Sequence, residues 1–125
     1  MIEKRLLVAD RVRHPPREGF SWVDRRFLRE HAAKLTRDAL LLYFFLAAVS
    51  DKQGLSFYSD TTIAVRLRMR EQDVVAAREE LLTYDLVAFR APLTQVLSVP
   101  RGRVERRGLH GLQALLRALD ETKQR

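Results

Sequence analysis

The strongest hydrophobic signal in the chain is the run Ala39-Leu40-Leu41-Leu42-Tyr43-Phe44-Phe45-Leu46-Ala47-Ala48-Val49. Ahead of it, Thr36 is a good N-cap, Asp38 puts a negative charge in the first turn, and Leu35 with Leu40 has the spacing of a hydrophobic staple. These signals predict a helix. Because it is apolar nearly all round, it is expected to be buried on most sides, as the central helix of a small domain. Asp51-Lys52-Gln53-Gly54 ends it, with glycine just past the last turn.

Leu55-Ser56-Phe57-Tyr58 is short and aromatic enough for a strand, and Ser59 or Asp60 then caps a second helix through Leu67. A third helix is predicted over about residues 71–84, with Val74, Ala77, Leu81 and Leu82 facing inward and Arg78, Glu79 and Glu80 on the polar side. Residues 86–90 and 95–99 read as two strands of a hairpin joined by Ala91-Pro92-Leu93-Thr94. The fold class this order predicts is mainly α with a small β-hairpin wing (α+β).

The two ends of the chain differ from this centre. Paired prolines in Arg13-His14-Pro15-Pro16-Arg17 disallow regular helix, so residues 1–20 read as a basic N-terminal arm that also carries Leu6-Leu7-Val8. Phe20, Trp22, Phe27 and Leu28 recur at spacings that suit one face of a short helix opening near Asp24, and are expected to anchor the arm to the domain spanning 21–100. Residues 101–125 read as a basic linker and C-terminal helix. There Leu109, Leu112, Leu115, Leu116 and Leu119 form a stripe too short to be stable without a surface to pack on. The stripe is either a helix returning to the core or a homodimer element within 108–122.

At 125 residues the chain has room for one core and, beside it, none for a ligand-sensing or catalytic domain. With 46% apolar and 31% charged residues it has globular composition. It has no cysteine, which leaves neither disulfides nor thiolate metal sites and suits a reducing compartment. The longest apolar run falls far short of the ~20 residues needed to span a bilayer, and Met1-Ile2-Glu3-Lys4-Arg5 leads into no signal-peptide core. The expectation is a cytoplasmic, nucleoid-associated protein without membrane contact.

Net charge is +7, but its distribution says more than its total. Residues 1–35 carry nine basic and five acidic side chains, residues 36–100 seven and eight, and residues 101–125 seven and three. Both flanks are therefore +4 and the centre −1. Basic arms holding Arg11, Arg13 and Arg17 at one end and Arg101, Arg103, Arg106 and Arg107 at the other suit phosphate tracking or minor-groove entry.

The segment Ile63-Ala64-Val65-Arg66-Leu67-Arg68-Met69-Arg70-Glu71-Gln72-Asp73-Val74-Val75-Ala76-Ala77-Arg78-Glu79-Glu80-Leu81-Leu82-Thr83-Tyr84-Asp85-Leu86-Val87 resembles, without gaps, the helix-turn-helix region of GntR-type regulators and plasmid replication initiators. With the first helix and wing included, the likeness covers residues 36–99. It implies a winged helix-turn-helix with basic N- and C-terminal extensions, in which Ser59 caps the second helix and the third enters the major groove of double-stranded DNA. On that reading Arg66, Arg68 and Arg70 meet phosphate or guanine, and Gln72, Asp73 and Ala76 face the bases. Arg90, Thr94 and Gln95 bring the wing to the backbone, and Arg101 and Arg103 extend the contact.

The family commonly has glycine where this chain has Arg68 and Asp85, and serine or threonine where it has Arg70. Arginine at 68 fits if the turn avoids a positive φ. The acidic pair Glu71 and Asp73 at the DNA-facing end repels phosphate, although a carboxylate can accept from cytosine N4. This pattern keeps a second function open, a protein-interaction module within a nucleoprotein assembly.

Chemistry of other kinds finds little footing. His14, His31 and His110 lie in unrelated contexts without ligand spacing, the serines show no nucleophile elbow, and there is no glycine-rich phosphate loop. No cofactor and no enzymatic activity are expected.

Overall fold

The architecture follows from how the central apolar helix is capped and covered. A computed structural model describes residues 1–100. Helix α1, Arg25–Glu30, is capped by Asp24, whose carboxylate accepts from the Arg26 backbone N–H at 2.8 Å. Helix α2, Arg37–Val49, starts at Thr36, whose hydroxyl accepts from the Ala39 N–H at 3.2 Å. Glu80 reinforces that cap from across the fold. Its two carboxylate oxygens accept from the Thr36 backbone N–H at 2.8 Å and the Thr36 hydroxyl at 2.6 Å, so it is a structural partner as well as a polar-face residue.

After α2 come strand β1, Leu55–Ser56, helix α3, Asp60–Leu67, and helix α4, Glu71–Thr83. Strands β2, Val87–Arg90, and β3, Leu93–Val96, complete an antiparallel sheet of order β1-β3-β2. The described residues are thus α+β, four α-helices with a small three-stranded antiparallel sheet. Helices α2, α3 and α4 pack on one another, and Leu42, Ile63, Val74, Leu81, Leu86 and Val87 lie fully buried between them and the sheet. Removing a side chain such as Leu42 or Leu81 should cost about 2–5 kcal/mol through lost transfer energy and the cavity left behind.

Several details depart from the expectations above. Phe57 and Tyr58 lie outside the strand, because β1 pairs only through Leu55↔Gln95 and Ser56↔Thr94 before β3 runs into its turn. The hairpin turn is only Ala91-Pro92, joined by a cis peptide bond, with Arg90 paired to Leu93. Strand β3 therefore starts two residues earlier than expected and includes Leu93 and Thr94.

Arg78, expected on a polar face, is buried. Of the residues expected to anchor the arm, only Phe27 is buried, where it stacks on Tyr43 with ring centroids 3.9 Å apart, while Phe20, Trp22 and Leu28 are exposed. The arm is instead tied by the Ser21 hydroxyl, which donates to the Ala48 carbonyl at 2.8 Å.

Helices α3 and α4 end alike. Arg68 (φ 57°) and Asp85 (φ 54°) both adopt the left-handed conformation. Beyond them the Met69 N–H reaches back to the Ala64 carbonyl at 2.9 Å and the Leu86 N–H to the Leu81 carbonyl at 3.1 Å. These are the six-to-one bonds of the Schellman closure, which needs one left-handed residue to turn the chain out of the helix. The expectation that Arg68 avoids a positive φ is therefore overturned. The α3 carbonyls can be satisfied in so short a connection only if position 68 is left-handed.

Candidate nucleic-acid interface

Between α3 and α4 the chain alternates strictly. Arg66, Arg68 and Arg70 are exposed, whereas Leu67 and Met69 between them pack against the core. Leu67 and Met69 are partly buried against the core, and the three arginines around them, at the end of α3 and the start of α4, keep their side chains exposed. From there Gln72, Val75, Ala76 and Glu79 continue outward along α4, with Val74, Ala77 and Leu81 on the opposite, buried side.

The acidic residues at this end have structural partners. The Arg70 guanidinium donates to both oxygens of Asp73, at 3.0 and 3.1 Å, and the Arg70 backbone N–H to the same carboxylate at 3.2 Å. Asp73 thus supplies the carboxylate half of a capping box at a helix whose N-cap residue has no acceptor of its own. Hydrogen bonding to Arg70 holds the Asp73 carboxyl below the usual carboxylate range and pushes the Arg70 guanidinium above its ordinary value. Glu71 accepts from the Thr61 hydroxyl, which links α3 to α4. The charge of Asp38, in the first turn of α2, also favours the cationic form of Arg70, to a smaller extent. Exposed Arg37 went unnoticed in the sequence, where its position only marked the start of a helix.

The other expected contact residues are less concentrated. Arg90 is exposed at the end of β2, next to the Ala91-Pro92 turn. Gln95 is exposed on β3 but opposite Ala88 and Leu55, in the body of the sheet. Thr94 is buried, 6% exposed, in the row Ser56, Thr94, Phe89 on the inner side of the sheet. It cannot reach a phosphate backbone without unpacking the hairpin, so its assignment to the wing tip is corrected. Arg101, Arg103 and the 108–122 segment lie outside the described residues.

Among the described residues no helix is long and apolar enough to cross a membrane, and no group of three or more His, Cys, Asp or Glu side chains is placed to hold a metal ion. No protein-family model matches the chain, and no curated protein or solved structure resembles it closely enough to count as a match.

Proposed function

We propose that α3, α4 and the β2–β3 hairpin form a winged helix-turn-helix and that the protein binds double-stranded DNA, with the N-terminal part of α4 in the major groove. The observation that carries this reading is the exposure of Arg66, Arg68 and Arg70, three arginines within five residues at the junction of α3 and α4. Three cations there suit phosphates flanking a groove, and exposed Gln72 and Ala76, one helical turn apart, suit base edges. The engagement of Glu71 and Asp73 within the protein supports it further, since each carboxylate already has a hydrogen-bond donor. On the hairpin, contact falls to Arg90 and the Ala91-Pro92 turn in place of Thr94. The basic arm of residues 1–20 and Arg101 and Arg103 add sequence-independent attraction.

The second reading, a protein-interaction module in a nucleoprotein assembly, is favoured by the outer face of α4. Exposed Val75 and Glu79 lie there beside Ala76.

Anisotropy of a labelled random-sequence duplex, titrated at low salt, separates the two. DNA binding predicts a dissociation constant of about 1–100 μM at physiological salt, tightening as salt is lowered. Substituting Arg66, Arg68 and Arg70 together by alanine should weaken it at least about tenfold and reduce the salt slope. No binding at low salt would overturn the DNA reading and leave the interaction module.

A further inference from the structure

Helix α2 is apolar nearly all round, yet its stripe Leu41, Phe44 and Ala48 is exposed, with Phe44 at 65%. Beside it Phe20 (67%) and Trp22 (75%) are also exposed, on the segment that Ser21 ties to Ala48. Phe20, Trp22, Phe44 and Ala48 line an open groove of ≈ 1380 Å³ together with Val96, Leu97 and Val99. That exceeds the roughly 300–1,000 Å³ of small-molecule pockets and suits a chain segment. A contiguous aromatic patch of this kind on a small domain marks an interaction surface.

We infer that the groove is the seat of the chain's own C-terminal leucine stripe, residues 109–119. The chain arrives at the right place, because Val99 lines the groove and both Val99 and Pro100 are buried. Residues 101–108 can extend about 26 Å at ~3.3 Å per residue, and an eleven-residue helix is only about 16 Å long, so the reach is sufficient. Leu109, Leu112, Leu116 and Leu119 fall on one helical face, with Asp120 at its edge and Arg117 away from it.

A helix of that length is unstable alone and gains stability by burying the stripe. The charges lean the same way, since Glu18, Asp24 and Asp51 line the groove against Arg26 and Lys52, while residues 101–125 hold seven basic and three acidic side chains. A short linker presents the segment at a millimolar-scale effective concentration, so it outcompetes the same segment of a second copy at micromolar protein. The inference stands apart from groove docking on DNA, because Arg66, Arg68, Arg70, Gln72 and Ala76 all lie outside this groove.

Two properties of the full-length chain make the test direct. Trp22 is the sole tryptophan and there is no cysteine. Leu112→Asp combined with Leu116→Asp should shift Trp22 emission to the red, with the far-ultraviolet signal of the core helices retained. Ala48→Cys paired in turn with Leu112→Cys and Leu116→Cys should, on mild oxidation, give a disulfide within one chain for at least one pair, seen as a faster-migrating monomer on a non-reducing gel. A cross-linked dimer as the main product would overturn the inference in favour of a second copy as occupant. Unchanged Trp22 emission would overturn it outright, as would failure of both pairs to cross-link.

Discussion

The Arg78 guanidinium donates to the Asp60 carboxylate while lying over the ring of Phe89, 4.1 Å from its centroid. One buried side chain thereby joins the first turn of α3, the middle of α4 and strand β2. Asp60 keeps partial contact with water, its side chain being 36% exposed, so loss of Arg78 leaves a carboxylate that can still be solvated. Arg78→Ala should cost about 1–3 kcal/mol, less than the roughly 3–5 kcal/mol typical of breaking a fully buried pair. Arg78→Lys, which keeps the charge but not the planar fork over the ring, should fall between the two. Urea denaturation of the three proteins measures this; equal midpoints would show that the contact contributes nothing.

Arg68 offers a way to separate fold from function. It holds a left-handed conformation that costs a residue with a Cβ about 1–2 kcal/mol, partly offset in a glycine variant by the greater entropy of the unfolded chain. Arg68→Gly should therefore leave stability unchanged or raise it by up to about 1 kcal/mol. If the α3–α4 arginines hold phosphate, the same variant should bind duplex more weakly. Thermal melting and anisotropy, read side by side, check both halves. A clear fall in melting temperature would show that the arginine side chain itself supports the turn.

What could be read from the sequence was what depends on near neighbours. Asp24, Thr36 and Ser59 cap helices through bonds two or three residues away, and the inward row Val74, Ala77, Leu81 follows from helical period alone. What could not be read depends on distant partners. Arg78 looks like a surface residue until Asp60 and Phe89 converge on it. Thr94 looks like loop until the turn contracts to Ala91-Pro92 and β3 slides into pairing with both β1 and β2. The arginine trio was visible as a motif, but that all three stay exposed while Leu67 and Met69 between them pack inward is settled only by the fold. The left-handed state of Arg68 was signalled only by the glycine that the resembled family has there, since arginine itself does not advertise the need for it.

Gly54 is fixed by two constraints acting together. Its φ is +84°, and a Cβ there would come 2.5 Å from the Val96 carbonyl oxygen, backbone that cannot step aside without breaking the sheet. The Gly54 carbonyl also accepts from the Val96 N–H at 2.8 Å, so the approach is part of how β1 is aligned on β3. Gly54→Ala should destabilise by about 2–4 kcal/mol through strain and clash combined. Chemical denaturation checks it, and a cost under about 0.5 kcal/mol would mean the turn reorganises freely.

Stability should fall at both ends of the pH scale, for opposite reasons. The carboxyls of Asp73 and Asp24 are held low chiefly by hydrogen bonds from the Arg70 and Arg26 side chains. A carboxyl with a lowered folded-state value contributes its stability above the unfolded value, about 3.9, and loses it as pH falls through the folded value. Both pairs are solvent-accessible, so this acid limb should be shallow and should weaken with salt. Asp73→Asn and Asp24→Asn should each flatten it between about pH 5 and pH 2. Tyr43 behaves in the other sense. Burial, and to a smaller extent the charge of Asp24, raises its phenol, so its contribution is complete below the unfolded value near about 10 and is lost as pH rises through the higher folded value. Tyr43→Phe should keep the ring stacked on Phe27 and remove the alkaline limb alone. Denaturation midpoints across the two ranges test the assignments separately: an acid limb unchanged in both asparagine variants, or an alkaline limb that survives Tyr43→Phe, would place the titrating group elsewhere.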